Sequence, residues 1–370
     1  MNKLPAILLV IALALLPVLS ACGGAAARAP ADPTVTVTDL LGRQVNVPAK
    51  VTRVVAIGPG ALRLYVYAGN LDYIVGVEGM ETGDVSGKPY MLANPALAKL
   101  PVIGQGGPNN APDAEKLLTV TPNVIFSTYA TDAAAADELQ AKTGLPVVVL
   151  HRGGGFGTTA IFGQPVRDSL MLVGQITGDT AKAQAAIEFI EQAGQDLDKR
   201  TKDIPDADKP TVYVGGLGAK GTHGIESTQG QYVLLDAIHA KNVVDETGQD
   251  GSIMIDKEKL LTWDPQFIFI DQGGYAAVLE DYEKDPAFYQ SLSAVKNGQV
   301  HSQLPYNSYN TNIDTAIADA YYLGKILYPK AFADVDPAKK ADEIYVALVG
   351  QPLYAQISKT FGGLGELTFK

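Results

Sequence analysis

The sequence predicts an α/β protein of two Rossmann-like lobes, each built on a central, mainly parallel sheet and joined by one long α-helix. Three observations predict it: an internal echo, strand and helix patterns alternating in both halves, and one long amphipathic stretch between them. The echo pairs Asp113 to Phe126 (DAEKLLTVTPNVIF) with Asp256 to Phe269 (DKEKLLTWDPQFIF), and nine of the fourteen positions are identical. Each copy reads as a short helix opened by an acidic cap, a turn closed by Pro122 or Pro265, and then a buried strand. A single echo between two halves means two similar lobes, because a stacked-repeat architecture needs three or more units.

The chain begins with Met1-Asn2-Lys3, one positive charge, followed by an almost unbroken apolar run from Leu4 to Leu19. That run falls short of the roughly 20 apolar residues a membrane-spanning helix needs, so residues 1–21 read as a secretory signal peptide. Leu19 to Cys22 (LSAC) matches the bacterial lipobox, in which cleavage leaves Cys22 as a lipidated N-terminus. Residues 22–33, small and proline-bearing, suit a flexible tether. An N-terminal lobe is then expected over 34–178, a linker helix over 179–204 and a C-terminal lobe over 205–370.

In the first lobe, Val- and Ile-rich runs predict strands at Arg53 to Ile57, Tyr73 to Val77, Val124 to Ser127 and Pro146 to Leu150. Helices are expected between them at Gly60 to Tyr67 and Ala133 to Lys142. The second lobe repeats the style with strands at Thr211 to Val214 and Phe267 to Ile270 and helices at Gln231 to Ala240 and Thr311 to Leu327. Between the lobes, Ala183, Ile187, Ile190, Ala193 and Leu197 form an apolar stripe in an otherwise polar stretch from Asp179 to Asp203, with Asp179 as its expected N-cap.

Composition removes several functions. The formal net charge of −11 argues against nucleic acid or an anionic bilayer surface as partner, since both require clustered Lys and Arg. Cys22 is the only cysteine, so no intramolecular disulfide can form. The four histidines, at 151, 223, 239 and 301, have no i, i+3 or i, i+4 pair, which gives a directly ligated metal little support. No nucleophile elbow, P-loop or metalloprotease helix is present. Gly216 to Gly221 fits G-x-G-x-x-G by letter, but Thr222 to Gly230 reads as continuing loop where a dinucleotide site needs a helix. A secreted α/β enzyme using that loop is the alternative of a different class.

Further local patterns come in a telling order: Thr36 to Pro48 (TVTDLLGRQVNVP), Arg53 to Pro59 (RVVAIGP), Lys241 to Asp245 (KNVVD), and the two echo units. From about Thr34 to the C-terminus the chain resembles the periplasmic binding proteins that serve ABC importers of iron-siderophores, haem, vitamin B12 and some oxyanions. The resemblance implies a monomeric, non-enzymatic protein outside the cytoplasm, lipid-anchored to the cell membrane, with no cofactor of its own. Its partners would be a permease dimer with a cytoplasmic ATPase, and its ligand a siderophore-type iron chelate or related metal complex. Molybdate or tungstate, a corrinoid or haem are the alternatives within the class. It further implies that Glu115 and Glu258, at equivalent places in the two echo units, dock against arginines on the two permease subunits, as in the vitamin B12-binding members.

A ligand cleft is expected where loops at the carboxyl ends of the strands face one another. Gly60 permits close backbone approach at a helix start suited to an anion, and Arg63 on the first turn would add a charge-assisted contact. Arg152, in the glycine-rich run 151–157, and His223 are candidates for the same mouth. Tyr306 and Tyr309, in the segment before the last predicted helix, offer flat apolar faces with polar tips.

Overall fold

Val54 to Ile57 and Val124 to Phe126 are apolar on both faces, and they form strands covered on both sides. The computed structural model describes residues 33–107, 109–151, 160–218 and 221–369. The expected signal peptide, Cys22, most of the tether and Arg152 lie outside the described residues. The described residues open with an antiparallel hairpin, β1 (Thr34–Thr38) and β2 (Gln44–Pro48), closed where the Asp39 carboxylate accepts from the backbone of Leu41 and Arg43.

β3 (Val54–Ile57), β4 (Ile74–Gly76), β5 (Val124–Ser127) and β6 (Val147–Val149) then build an all-parallel sheet in the order β4-β3-β5-β6. The second half supplies β7 (Thr211–Gly215), β8 (Ser227–Gly230), β9 (Lys241–Asn242), β10 (Gly251–Met254), β11 (Phe267–Asp271) and β12 (Val300–Gln303). Its main sheet is also all parallel, in the order β9-β7-β11-β12. Counted within its own lobe, each sheet runs second, first, third, fourth. The sequence echo therefore reports a duplicated topology, and β5 and β11 are equivalent strands. β8 and β10 form a separate antiparallel ribbon.

Alternation along the strands decides which core each residue joins. Val55 and Ile57 enter a cluster belonging to the first sheet alone, and Tyr213, Ile268 and Ile270 enter one belonging to the second. Val54, Ala56, Val212, Val214 and Phe269 instead share one continuous cluster with the helices Ala61–Ala68, Gln164–Thr177, Thr180–Thr201 and Ile313–Leu327. Prising the sheets apart would expose that shared surface at about 25 cal/mol per Å², so the lobes are welded by their helices. From Thr34 onward the chain is accordingly one compact unit.

The long helix spans Thr180–Thr201 and buries the expected stripe of Ala183, Ile187, Ile190, Ala193 and Leu197. Asp179 occupies its N-cap position without making a capping bond, which corrects the expected role. Lys182 instead ties this helix to the first lobe by donating to Val66 O and Gly69 O at 2.8 Å each, satisfying carbonyls at the end of the helix Ala61–Ala68.

Two further expectations change. The helix expected over Gln231 to Ala240 shrinks to Val233–Asp236, because Gln231 and His239 take left-handed φ values of 50° and 51° through which no α-helix continues. The stretch from Thr222 to Gly230, read as loop throughout, contains β8, whose pairing partner lies about twenty residues on and is invisible to local pattern.

Candidate functional site

At the carboxyl end of β3 the chain turns through Gly58 and Gly60, at φ 88° and 85°. A side chain at Gly58 would place its Cβ 2.4 Å from the Tyr129 nitrogen, so the loops after β3 and β5 touch at the switch point of the first sheet. Gly60 is the N-cap residue of the helix Ala61–Ala68. Arg63 is on that helix's first turn but has no exposed surface, and it is absent from the residues lining the cavity described below. Its charge acts on the buried Glu81 and Asp314 carboxyls and on the hydroxyls of Tyr67 and Tyr90.

Glu78 follows β4 at the same end of the sheet and was not anticipated. Its Oε2 accepts from Gly58 N at 2.9 Å and from Tyr309 Oη at 2.7 Å, while Tyr309 Oη also accepts from Gly107 N at 2.8 Å. Burial pushes the Glu78 carboxyl up to about 7, against the lowering influence of its hydrogen bonds. Tyr309 thus carries a segment that follows the second sheet across to the first. The geometry is demanding: Tyr309 and Asn310 both hold left-handed φ, 51° and 77°, the kind of local strain that persists only where surroundings impose it. Asn312, at the N-cap position of the helix Ile313–Leu327, makes no capping bond; its amide donates to Gly87 O, Tyr306 O and Ser308 O and pins this segment in place.

In the second lobe, Asp271 ends β11 and Gln303 ends β12, opposite each other in register. Asp271 Oδ1 accepts from Gly273 N at 2.8 Å, and its Oδ2 from Gln303 Nε2 at 3.2 Å. The Gln303 amide is held in turn by Tyr232 Oη, whose ring lies 6.2 Å from that of Tyr306. Burial raises the Asp271 carboxyl to about 7.

These elements enclose a cavity of about 370 Å³, within the range of small-molecule sites. Leu217 and Thr222 from the loop after β7, Asp271 and Gly273 from the end of β11, and the segment 305–309 line it. Of the expected ligand residues, Tyr306 and Tyr309 are brought together on its wall. His223 sits half-buried next to the lining residue Thr222, Gly60 and Arg63 belong to the first lobe and are not among the lining residues, and Arg152 lies outside the described residues. Among the described residues, no group of three His, Cys, Asp or Glu side chains could hold a metal ion. Asp271 and Glu78 had one available signal: each is an acid at the carboxyl end of a parallel strand, where cleft residues gather.

Glu115 and Glu258 stand apart from this cavity, on the first turns of the helices Ala114–Thr119 and Lys257–Trp263. Both are exposed. The caps match, Asp113 accepting from Lys116 N and Asp256 from Lys259 N.

A family model described as periplasmic binding protein matches residues 54–303. The chain belongs to the periplasmic binding protein family. The molybdate-binding protein MolA of Haemophilus influenzae is 24% identical over 326 residues, 84% of this chain and 89% of that protein. The crystal structure of a periplasmic solute binding protein from Veillonella parvula matches with a TM-score of 0.69 at 17% identity, covering 89% of this chain and 97% of that one. MolA bound to molybdate matches with a TM-score of 0.64 at 20% identity, covering 86% of this chain and 98% of that one. This periplasmic binding protein thus works outside the cytoplasm. It binds a solute and does not transform it, so the enzyme alternative falls. Among the described residues no helix is long and apolar enough to cross a membrane.

Proposed function

We propose that this binding protein captures an uncharged or cationic metal chelate of the iron-siderophore type in the cavity at the carboxyl ends of the second sheet. One observation carries the reading: the 370 Å³ cavity is walled by Tyr306 and Tyr309 and has Asp271 as the carboxyl side chain among its described lining residues. Aromatic faces pack on a chelate's apolar periphery, and Asn307, Ser308 and Thr222 supply hydrogen bonds to its polar edge. An ionised Asp271 accepts from a donor on the ligand and repels a bare dianion. Glu78, through Tyr309, and the Asn312 amide hold the aromatic wall in position.

A second reading, molybdate or a related oxyanion, is favoured by the similarity to MolA along most of both chains. Protonated, Asp271 can donate to such an anion, so the two readings have opposite pH dependence. Calorimetric titration with an uncharged ferric trihydroxamate and with molybdate, at pH 5.5 and 8.5, separates them. The chelate is expected to bind at about micromolar Kd or tighter, more tightly at pH 8.5, and molybdate not at all. Molybdate binding that strengthens at pH 5.5, with no chelate binding, would replace the first reading by the second.

The reading includes a lipid anchor at Cys22. Cys22→Ser is expected to leave folding and ligand affinity unchanged and to move the protein from the membrane to the soluble fraction. Sedimentation of the variant with membranes after a high-salt wash would contradict the anchor. It also includes docking of Glu115 and Glu258 onto a permease. Both are exposed and, among the described residues, neither side chain has a hydrogen-bond or ion-pair partner, so their charges are available to arginines across an interface.

A further inference from the structure

The two echo units agree at surface positions as well as in the core, and the structure separates the agreements that packing explains from those it does not. Leu117 and Leu260 are buried, as are Pro122 with Pro265, Ile125 with Ile268 and Phe126 with Phe269. Asp113 and Asp256 cap their helices. Lys116 pairs with Asp113 at 3.3 Å, and Lys259 lies over the Trp263 ring at 4.9 Å. Thr119 and Thr262 each donate to a helix carbonyl.

Two matched pairs are left without local employment: Glu115 with Glu258, and Leu118 with Leu261. The leucines are 44% and 40% exposed. A single exposed leucine needs no explanation. The same leucine three positions beyond the same exposed glutamate, on both lobes, is a different matter, because i, i+3 residues are neighbours on one helix face. Each lobe therefore presents the same small foot, a carboxylate beside an isobutyl group.

We infer that Leu118 and Leu261 are apolar anchors that seat with Glu115 and Glu258 in two equivalent sockets of a two-fold symmetric membrane partner, each socket pairing a cation with an apolar recess. The inference rests on the docking reading above, two-fold permease included, and adds to it the leucines. Two identical feet on one chain require two identical sockets, and a symmetric dimer supplies them from one sequence. The leucine excludes water beside the glutamate, and an ion pair at a dry contact is worth more than one at a wet rim.

The test uses the full-length protein and its cognate permease–ATPase complex in nanodiscs, with ligand affinity and Tm measured in parallel. Leu118→Ser and Leu261→Ser are each expected to weaken the complex about tenfold, to similar extents, and together about a hundredfold, leaving ligand affinity and Tm unchanged. Glu115→Lys with Glu258→Lys is expected to abolish both the complex and uptake. If the glutamate reversals abolish docking while the leucine variants bind like wild type, the leucine anchors are refuted and the docking reading survives. Strongly unequal single leucine variants overturn the symmetry. Full binding and uptake by all of them, glutamate reversals included, sinks both.

Discussion

Arg63→Ala is expected to destabilise the folded protein by about 3–5 kcal/mol, the cost of removing one partner from a buried charge group. Arg63 has no exposed surface and sits on a helix whose every residue is buried. Its guanidinium lowers the carboxyls of Glu81 and Asp314, which burial pushes up. Asp314 also accepts from Tyr67 Oη at 3.0 Å, and Glu81 from Tyr90 Oη at 2.7 Å, so the loss propagates through two tyrosines in the shared core. Glu81 keeps Lys88 at 3.8 Å, but without the guanidinium both carboxylates, Asp314 above all, must either stay charged in an apolar setting or take up protons. Their folded-state pKa values then rise further, and the variant's deficit grows as pH increases through that range. Thermal unfolding at pH 5 and pH 8 checks this: Tm should fall by roughly 4–7 °C at pH 8 and by less at pH 5. A variant melting within 2 °C of wild type at both would show that Arg63 does not balance the cluster.

Stability of the unliganded protein is expected to decline between about pH 4 and pH 7, with Asp271→Asn removing a large part of the decline. Burial raises Asp271 from 3.8 and Glu78 from 4.5, both to about 7, and raises Asp236 and Asp314 to about 6. For an acid with a raised folded-state value, the unfolded chain releases its proton first. Between the unfolded and folded values the native state holds more protons, so the stability present below about pH 4 is lost as pH rises through about 7. At about 1.4 kcal/mol per decade, Asp271 alone accounts for a few kcal/mol. Asn at this position cannot ionise, although its amide must share Gln303 with Tyr232, which limits the gain. Urea denaturation of both proteins from pH 4 to 8.5 tests the point. Parallel stability curves for wild type and variant would mean that Asp271 is not held protonated by its surroundings.

How far the sequence reaches is clearest at the echo. Capping aspartates, buried leucines and closing prolines are local signals, and a strand buried on both faces leaves an unbroken apolar run, so β3, β5, β6, β7 and β11 were all legible, as was the stripe of the linker helix. β8, β9, β10 and β12 were not: they are short, and only partners distant in sequence make them strands. Helices such as Gln164–Thr177 and Pro337–Val349 were missed because their apolar faces answer to the shared core between the lobes, which no single segment encodes.

The same division holds at the site. The sequence by itself determined the family-level architecture, the acidic surface, the exposed paired glutamates and the tyrosine-rich segment before the last long helix, since each rests on composition or on neighbours within a few residues. Only the tertiary structure decided that Arg63 is enclosed in a charge cluster, that Tyr309 reaches Glu78 across 231 positions of chain, and that Asp271 forms part of the cavity wall. Burial and partner distance set the charge state of each of these groups, and both are properties of segments brought together by folding.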